Sequence, residues 1–124
     1  MRKTILIAGI NGFVGKHLAQ IGKKAGHTIC GTGLDSEVDK SIAHFVTEYF
    51  GECDLSKNTC VNILPLNNMD IIINLAGLSS VGGSFANPDI YMKINVEAHT
   101  KLLDRATRYR ITTVSYTHLT LPTK

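Results

Sequence analysis

Residues 4–15 read TILIAGINGFVG: an apolar, β-branched run passes into glycine-rich residues and then into a helical pattern. The apolar run has the composition of a strand that is buried on both faces of a sheet. Helical spacing follows from Phe13 to Ala25, and Gly26 stands where a helix would end. The predicted buried stripe of this helix consists of Val14, Leu18, Ile21 and Ala25. The stretch therefore predicts a strand, a tight turn and a helix in direct succession.

The same alternation continues along the chain. Further strands are predicted at residues 28–32, 44–50 and 70–76 and from residue 111, helices at 56–64 and 88–108, and a weak helix or turn at 36–43. Ser56 is the predicted N-cap of the second helix, and Pro65 stops it. Continuous apolar strands that alternate with helices indicate an α/β fold with a parallel sheet covered on both faces.

Three glycines, Gly9, Gly12 and Gly15, stand at the turn from strand to helix. Gly9 permits the tight turn, Gly12 lets a pyrophosphate approach the backbone, and Gly15 lets the helix pack closely on the strand. The helix N-terminus adds free N–H groups and the positive end of its dipole. We therefore predict a Rossmann-type doubly wound parallel sheet, truncated after about the fifth strand, that binds a dinucleotide at this loop. The loop residues predicted to contact it are Gly9, Asn11, Gly12, Phe13, Val14 and Gly15.

The spacing Gly-x-x-Gly-x-x-Gly, with the aromatic Phe13, resembles the loop of the extended short-chain dehydrogenase/reductase family, also called the NAD-dependent epimerase/dehydratase family. The resemblance covers residues 3–112 and includes Asn95 in the long predicted helix. Ala98-His99 departs from the Gly-Thr that is usual in the family at this point of the helix. The resemblance implies NAD or NADP as the cofactor.

The resemblance also assigns roles to residues that follow the third and fourth predicted strands. It implies that Asp54, followed by Leu55, meets the adenine, although an acid at a helix N-terminus is the alternative for Asp54. It further implies that Leu75, Ala76 and Gly77 lie against the cofactor. The sequence does not choose between NAD and NADP: Asp35 lies two residues beyond the position expected for the acid that holds the ribose hydroxyls, and no Arg is close to it.

Residues 78–88 resemble most the nucleotide-sugar dehydratases and reductases of the family, especially those that act on GDP-linked deoxyhexoses, such as GDP-4-keto-6-deoxymannose reductases and GDP-mannose 4,6-dehydratases. This resemblance implies a nucleotide-sugar substrate and a homodimeric parent protein. Ser79 and Ser80 then contact substrate or nicotinamide, or they belong to an ordinary serine- and glycine-rich loop.

Catalysis in this family uses a Tyr-x-x-x-Lys motif together with a Ser or Thr, because the lysine and the cofactor lower the tyrosine pKa. No Tyr-x-x-x-Lys occurs in the 124 residues, so no catalytic residue is assigned and the chain is expected to be inactive by itself. A non-catalytic NAD(P)-sensing protein is the alternative. A Rossmann methyltransferase is a third interpretation, which the glycine spacing does not favour.

Composition excludes several other classes of function. The net charge is +3 with scattered basic residues, which does not indicate nucleic-acid binding. The apolar runs are too short to span a membrane, and we expect no signal peptide before the first strand. Cys30, Cys53 and Cys60 are expected to be reduced thiols of a cytoplasmic protein, and their spacing with the histidines predicts no metal site.

The last eleven residues, 114–124, break the pattern of the chain. They resemble the in-frame translation of a transposase sequencing adapter. We therefore predict a dinucleotide-binding domain over residues 1–113 and a non-native tail over residues 114–124. A natural fifth strand followed by a loop is the alternative.

Overall fold

The structure is a computed structural model that describes residues 2–54, 58–75 and 112–115, with the backbone alone at 58, 59, 61 and 112–115. Its strands are β1 (Thr4–Ala8), β2 (Thr28–Thr32), β3 (Glu48–Phe50), β4 (Ile71–Asn74) and β5 (Thr112–Ser115). The α-helices are α1 (Phe13–Lys24) and α2 (Asn58–Ile63), and two single 3-10 turns span Ala43–Phe45 and Leu66–Asn68.

The five strands form one parallel sheet in the order β3-β2-β1-β4-β5. Strand β1 lies at its centre, where Ile5 is opposite Ile29 of β2 and Ile71 of β4. Because the chain crosses first to one side of β1 and later to the other, the carboxyl end of β1 lies where the strand order reverses. The predicted Rossmann-type parallel α/β fold is confirmed.

Alternate side chains of the strands enter two separate hydrophobic cores. Ile5 and Ile7 face the core that Ala19 of α1 covers, whereas Leu6 and Ala8 face the core formed with α2 and the residues after it. The second core consists of Leu6, Ala8, Cys30, Cys53, Cys60, Leu64, Leu66, Met69 and Ile72. Burial on both faces explains why the strands are continuous apolar runs rather than alternating ones.

Helix α1 contacts the sheet through its smallest side chains. Gly15 and Ala19 are the buried residues of the helix. Of the predicted stripe, Leu18 packs against the core that Ala19 covers. Val14 and Ile21 are 51% and 62% exposed and Ala25 is also exposed, so the prediction is wrong for these three residues. The reason is the closeness of the approach: a Cβ on Gly15 would lie 2.6 Å from the carbonyl oxygen of Gly9.

The segment between β2 and β3 departs from the prediction in part. Residues 36–42 form bends and a turn, which is the turn alternative of the prediction, whereas the strand predicted over 44–50 is confined to Glu48–Phe50. Ile42 is buried, and Phe45 and Val46 pack against the α1 core, so these apolar residues serve packing instead of strand pairing. The other predicted strands agree with the structure to within two residues, and the predicted helix 88–108 lies outside the described residues.

Cys53 and Cys60 form a disulfide in the structure, with their Cα atoms 5.3 Å apart. Both side chains enter the core on the α2 side of the sheet, where Cys53 of the loop after β3 meets Cys60 of α2. The expectation of three reduced thiols is therefore corrected, and Cys30 is the free cysteine among the described residues. Burial raises the pKa of the Cys30 thiol, and the charge of Glu48 raises it further.

Alkylation of the unfolded, unreduced chain should label Cys30 and leave Cys53 and Cys60 linked, as peptide mass mapping will show. Reduction should lower the free energy of unfolding by about 2.5 kcal/mol, the loop-closure entropy of a ring of this size. Three labelled cysteines without reduction would contradict the pairing.

Gly15→Ala should lower the free energy of unfolding by about 2 kcal/mol or more, because the new methyl group would overlap backbone atoms that have no room to move. Gly12→Ala is the matched control: its Cβ would lie 3.4 Å from the Gly9 oxygen, an ordinary contact. Denaturant unfolding of both variants measures the difference, and equal losses would contradict the close approach of α1.

Candidate cofactor site

The loops that follow the strands meet at one edge of the sheet. The N–H of Gly9 donates to the Thr32 carbonyl at 2.8 Å, and the N–H of Leu75 donates to the Ala8 carbonyl at 2.8 Å. The N–H of Gly33 donates to the Phe50 carbonyl at 3.3 Å. These bonds extend the ladders past β1, β2 and β4, so the first residues of each loop are held where ligands of open α/β sheets bind.

The glycine loop turns sharply at its first residue. Gly9 has φ of 82°, a conformation that side chains disfavour, and its carbonyl accepts from the N–H of Gly12 at 3.1 Å. Ile10 then points into the core and is fully buried. The loop therefore passes over a fixed apolar side chain and presents its backbone, not a side chain, to the site.

Among the described residues, no hydrogen-bond partner contacts the first N–H donors of α1. Gly12 is the N-cap in extended conformation, makes no side-chain cap, and is exposed, and the first turn contains no acidic residue. The first N–H to be used within the helix is that of Lys16, which donates to the Gly12 carbonyl at 2.9 Å. The N–H groups of residues 13–15 and the positive end of the helix dipole therefore suit an anion.

Phe13 and Val14 lie on the outer side of this turn. Phe13 is 75% exposed, and its ring meets that of His17 edge-on at 4.6 Å between centroids. Both side chains stand at the helix start, where the sequence predicted cofactor contacts. Their contact with a cofactor stays a prediction.

Asn11 links the glycine loop to the segment after β2. Its Nδ2 donates to Asp35 Oδ2 at 2.9 Å and to the Glu37 carbonyl at 3.1 Å, and its Oδ1 accepts from the N–H of Asp39 at 2.7 Å. The Tyr49 hydroxyl donates to the Asp35 carbonyl at 2.8 Å. The structure thus brings Asp35, whose role the sequence left open, next to the glycine loop.

The electrostatics of this cluster are mixed. Burial raises the pKa of Tyr49, and the charge of Asp35 raises it further, against a hydrogen bond from Asn11. Two hydrogen bonds from Ser41, from its hydroxyl and its N–H, hold the pKa of Asp39 below its usual value, and Lys16 at 3.5 Å adds to this. Tyr49 therefore stays a neutral donor and Asp39 a carboxylate near neutral pH.

The remaining predicted residues divide into two groups. Asp54 follows the buried Cys53 and is half-buried on the carboxyl side of β3, and Leu75 is half-buried at the end of β4. The contacts of both residues with a cofactor stay a prediction. Five predicted residues lie outside the described part of the chain: Leu55, Ala76, Gly77, Ser79 and Ser80.

Sequence reasoning missed the cluster around Asn11. Asp35, Glu37 and Asp39 recur at every second position, which is the one local signal that this segment is not a helix. The bonds of Asn11 join residues 24 to 38 positions apart, which no local pattern reveals. Among the described residues, no group of His, Cys, Asp or Glu is arranged to hold a metal ion, and no helix is long and apolar enough to cross a membrane.

The model of the NAD dependent epimerase/dehydratase family matches residues 5–118. With the parallel sheet and the glycine loop, this match shows that the chain belongs to that family.

Individual relatives resemble the chain over nine-tenths of its length. Protein CapI of Staphylococcus aureus is 26% identical over an alignment that covers 90% of this chain and 36% of that protein. The UDP-Glc/GlcNAc 4-epimerase from Campylobacter jejuni is 27% identical with a TM-score of 0.76, covering 91% of this chain and 36% of that one. The UDP-glucose 4-epimerase from Bifidobacterium longum, in complex with NAD+ and UDP, is 22% identical with a TM-score of 0.74, covering 90% and 36%. The chain thus spans about a third of the length of these relatives.

Gly12→Ala should weaken binding of ADP-ribose roughly tenfold, because a methyl group at the exposed N-cap would occupy the approach of the pyrophosphate. Gln20→Ala, on the exposed side of α1, is the control for changes in the helix itself. Isothermal titration calorimetry measures both, and an unchanged affinity of the Gly12 variant would place the pyrophosphate elsewhere.

Proposed function

We propose that the chain is the NAD(P)-binding portion of a nucleotide-sugar epimerase, dehydratase or reductase that acts by hydride transfer at a sugar carbon. The observation that carries the proposal is the uncapped start of α1, aligned by the glycine loop with the carboxyl ends of the strands. Membership in the NAD dependent epimerase/dehydratase family supports the same assignment.

The described residues fit a dinucleotide. The loop at Gly12 offers exposed backbone and free N–H groups to the pyrophosphate, and Asp35 stands beside this loop as an acceptor for the adenosine ribose. Asp54 lies on the carboxyl side of β3, where its carboxylate would accept from the adenine amine. When bound, the nicotinamide would supply the acceptor or donor of the hydride.

The substrate class rests on relatives and on the residues after β4. The relatives named above include 4-epimerases of UDP-sugars, which supports a nucleotide sugar. The resemblance of residues 78–88 favours a GDP-linked deoxyhexose within that class, and these residues lie outside the described part of the chain. A homodimeric parent protein and a cytoplasmic location complete the proposal.

The catalytic acid–base pair is not in this chain, because no Tyr-x-x-x-Lys occurs in it. The residues present bind and orient the adenosine half of the cofactor, and we propose that the proton-transferring groups lie beyond residue 113 in the parent protein. The non-catalytic NAD(P)-sensing alternative has the same binding site and differs only in lacking those groups.

The folded chain should bind NAD and ADP-ribose and should not bind S-adenosylmethionine. Saturation with NAD at a hundred times its dissociation constant should stabilise the chain by about 2.7 kcal/mol, which thermal unfolding detects. The chain itself should show no turnover of UDP-glucose or GDP-mannose with NAD or NADP.

The parent protein should convert one of these nucleotide sugars, followed by NMR of the sugar product. Cofactor binding with no conversion of any nucleotide sugar by the parent would favour the NAD(P)-sensing alternative. Turnover by the 124-residue chain would contradict the prediction that it lacks the catalytic groups.

A further inference from the structure

Asn11 connects two parts of the site that act on different groups of a dinucleotide. Its backbone belongs to the loop that faces the pyrophosphate, whereas its side chain bonds to the segment that carries Asp35. The amide uses its NH₂ group as a donor and its oxygen as an acceptor toward Asp35, Glu37 and Asp39. No apolar side chain replaces these bonds, and an aspartate would lack the donors and repel Asp35.

These contacts hold the Asp35 carboxylate in one orientation. Oδ2 accepts from Asn11 at 2.9 Å, while the Asp35 carbonyl accepts from the Tyr49 hydroxyl at 2.8 Å and from the N–H of Glu52 at 2.9 Å. Both the side chain and the backbone of Asp35 are therefore restrained. Because Asp35 is exposed and the bond from Asn11 goes to Oδ2, the carboxylate is accessible to an incoming donor.

The negative charge around Asp35 favours a ribose with free hydroxyls over a ribose that carries a 2′-phosphate. The segment from residue 35 to residue 39 contains three carboxylates, and Lys16 is paired with Asp39 of this segment at 3.5 Å. A ribose with free hydroxyls gains hydrogen bonds from Asp35, whereas a 2′-phosphate brings two further negative charges toward it. Discrimination between these ligands depends on where the Asp35 carboxylate is held.

We propose that Asn11 is a specificity-determining positioning residue that makes the site select NAD over NADP by fixing the Asp35 carboxylate. This inference rests on the proposed function and deepens it by naming the cofactor. It assigns to Asn11 a role through its side chain, distinct from the backbone contact of the glycine loop with the pyrophosphate.

Calorimetric titration of the chain with ADP-ribose and with 2′-phospho-ADP-ribose tests the proposal, since both probes lack the nicotinamide. The unmodified chain should bind ADP-ribose at least about tenfold more tightly than 2′-phospho-ADP-ribose. Asn11→Ala should reduce the ratio of these two affinities by about tenfold, mainly because it weakens the binding of ADP-ribose. Asp35→Asn should reduce it similarly, and Asn11→Ala added to Asp35→Asn should change it no further, because both act through one carboxylate.

Asn67→Ala, an exposed asparagine after β3 and remote in sequence from the glycine loop, is the matched control and should leave the ratio unchanged. A loss of affinity for both probes by the same factor in Asn11→Ala would show a merely structural role and overturn the inference. A folded, unmodified chain that binds neither probe would instead overturn the proposed function, and this inference with it.

A measurement on the unmodified chain guards against a variant that does not fold. The assigned ¹⁵N side-chain amide resonance of Asn11 should shift on binding of ADP-ribose. An amide resonance that does not respond to ADP-ribose would overturn the link between the two residues.

Discussion

Helix α1 rests directly on the backbone of the turn that precedes it, and the site depends on that contact. A Cβ on Gly15 would come within 2.8 Å of three backbone atoms of Gly9 and Ile10, so only glycine lets the helix start this close to the sheet. Ile10 is buried under Gly31, where a side chain on β2 would collide with it. The helix start, the turn and the second strand thus fix one another, and the donors of α1 face the strand ends as a result.

The parts of the molecule that short-range chemistry determines could be predicted from the sequence. Strands β1 and β2, helix α1 and the glycine loop follow from apolar runs, glycine and helical spacing, and the structure agrees on their extent. The buried face of α1 could not be predicted from hydrophobicity, because close packing selects Gly15 and Ala19 over Val14 and Ile21. The strand predicted over residues 44–50 was too long, since tertiary packing of Phe45 overrides its strand propensity.

The candidate site shows the same division. The loop residues and Asp54 were predicted from motif and resemblance, and the structure places them at one edge of the sheet. The orientation of Asp35 depends on an amide 24 residues away, and a bond of that separation leaves no trace in local spacing. The described residues thus define a candidate cofactor site at the carboxyl ends of the strands.

Strand β3 forms one outer edge of the sheet, and its form has a consequence for the behaviour of the chain in solution. It is three residues long, begins with the exposed Glu48, and continues into a residue with left-handed backbone, Glu52 at φ of 50°. A strand from another molecule would find few free backbone groups there and would meet a carboxylate and a bend. This edge therefore resists intermolecular strand addition, so self-association of the chain through its sheet is disfavoured on the β3 side.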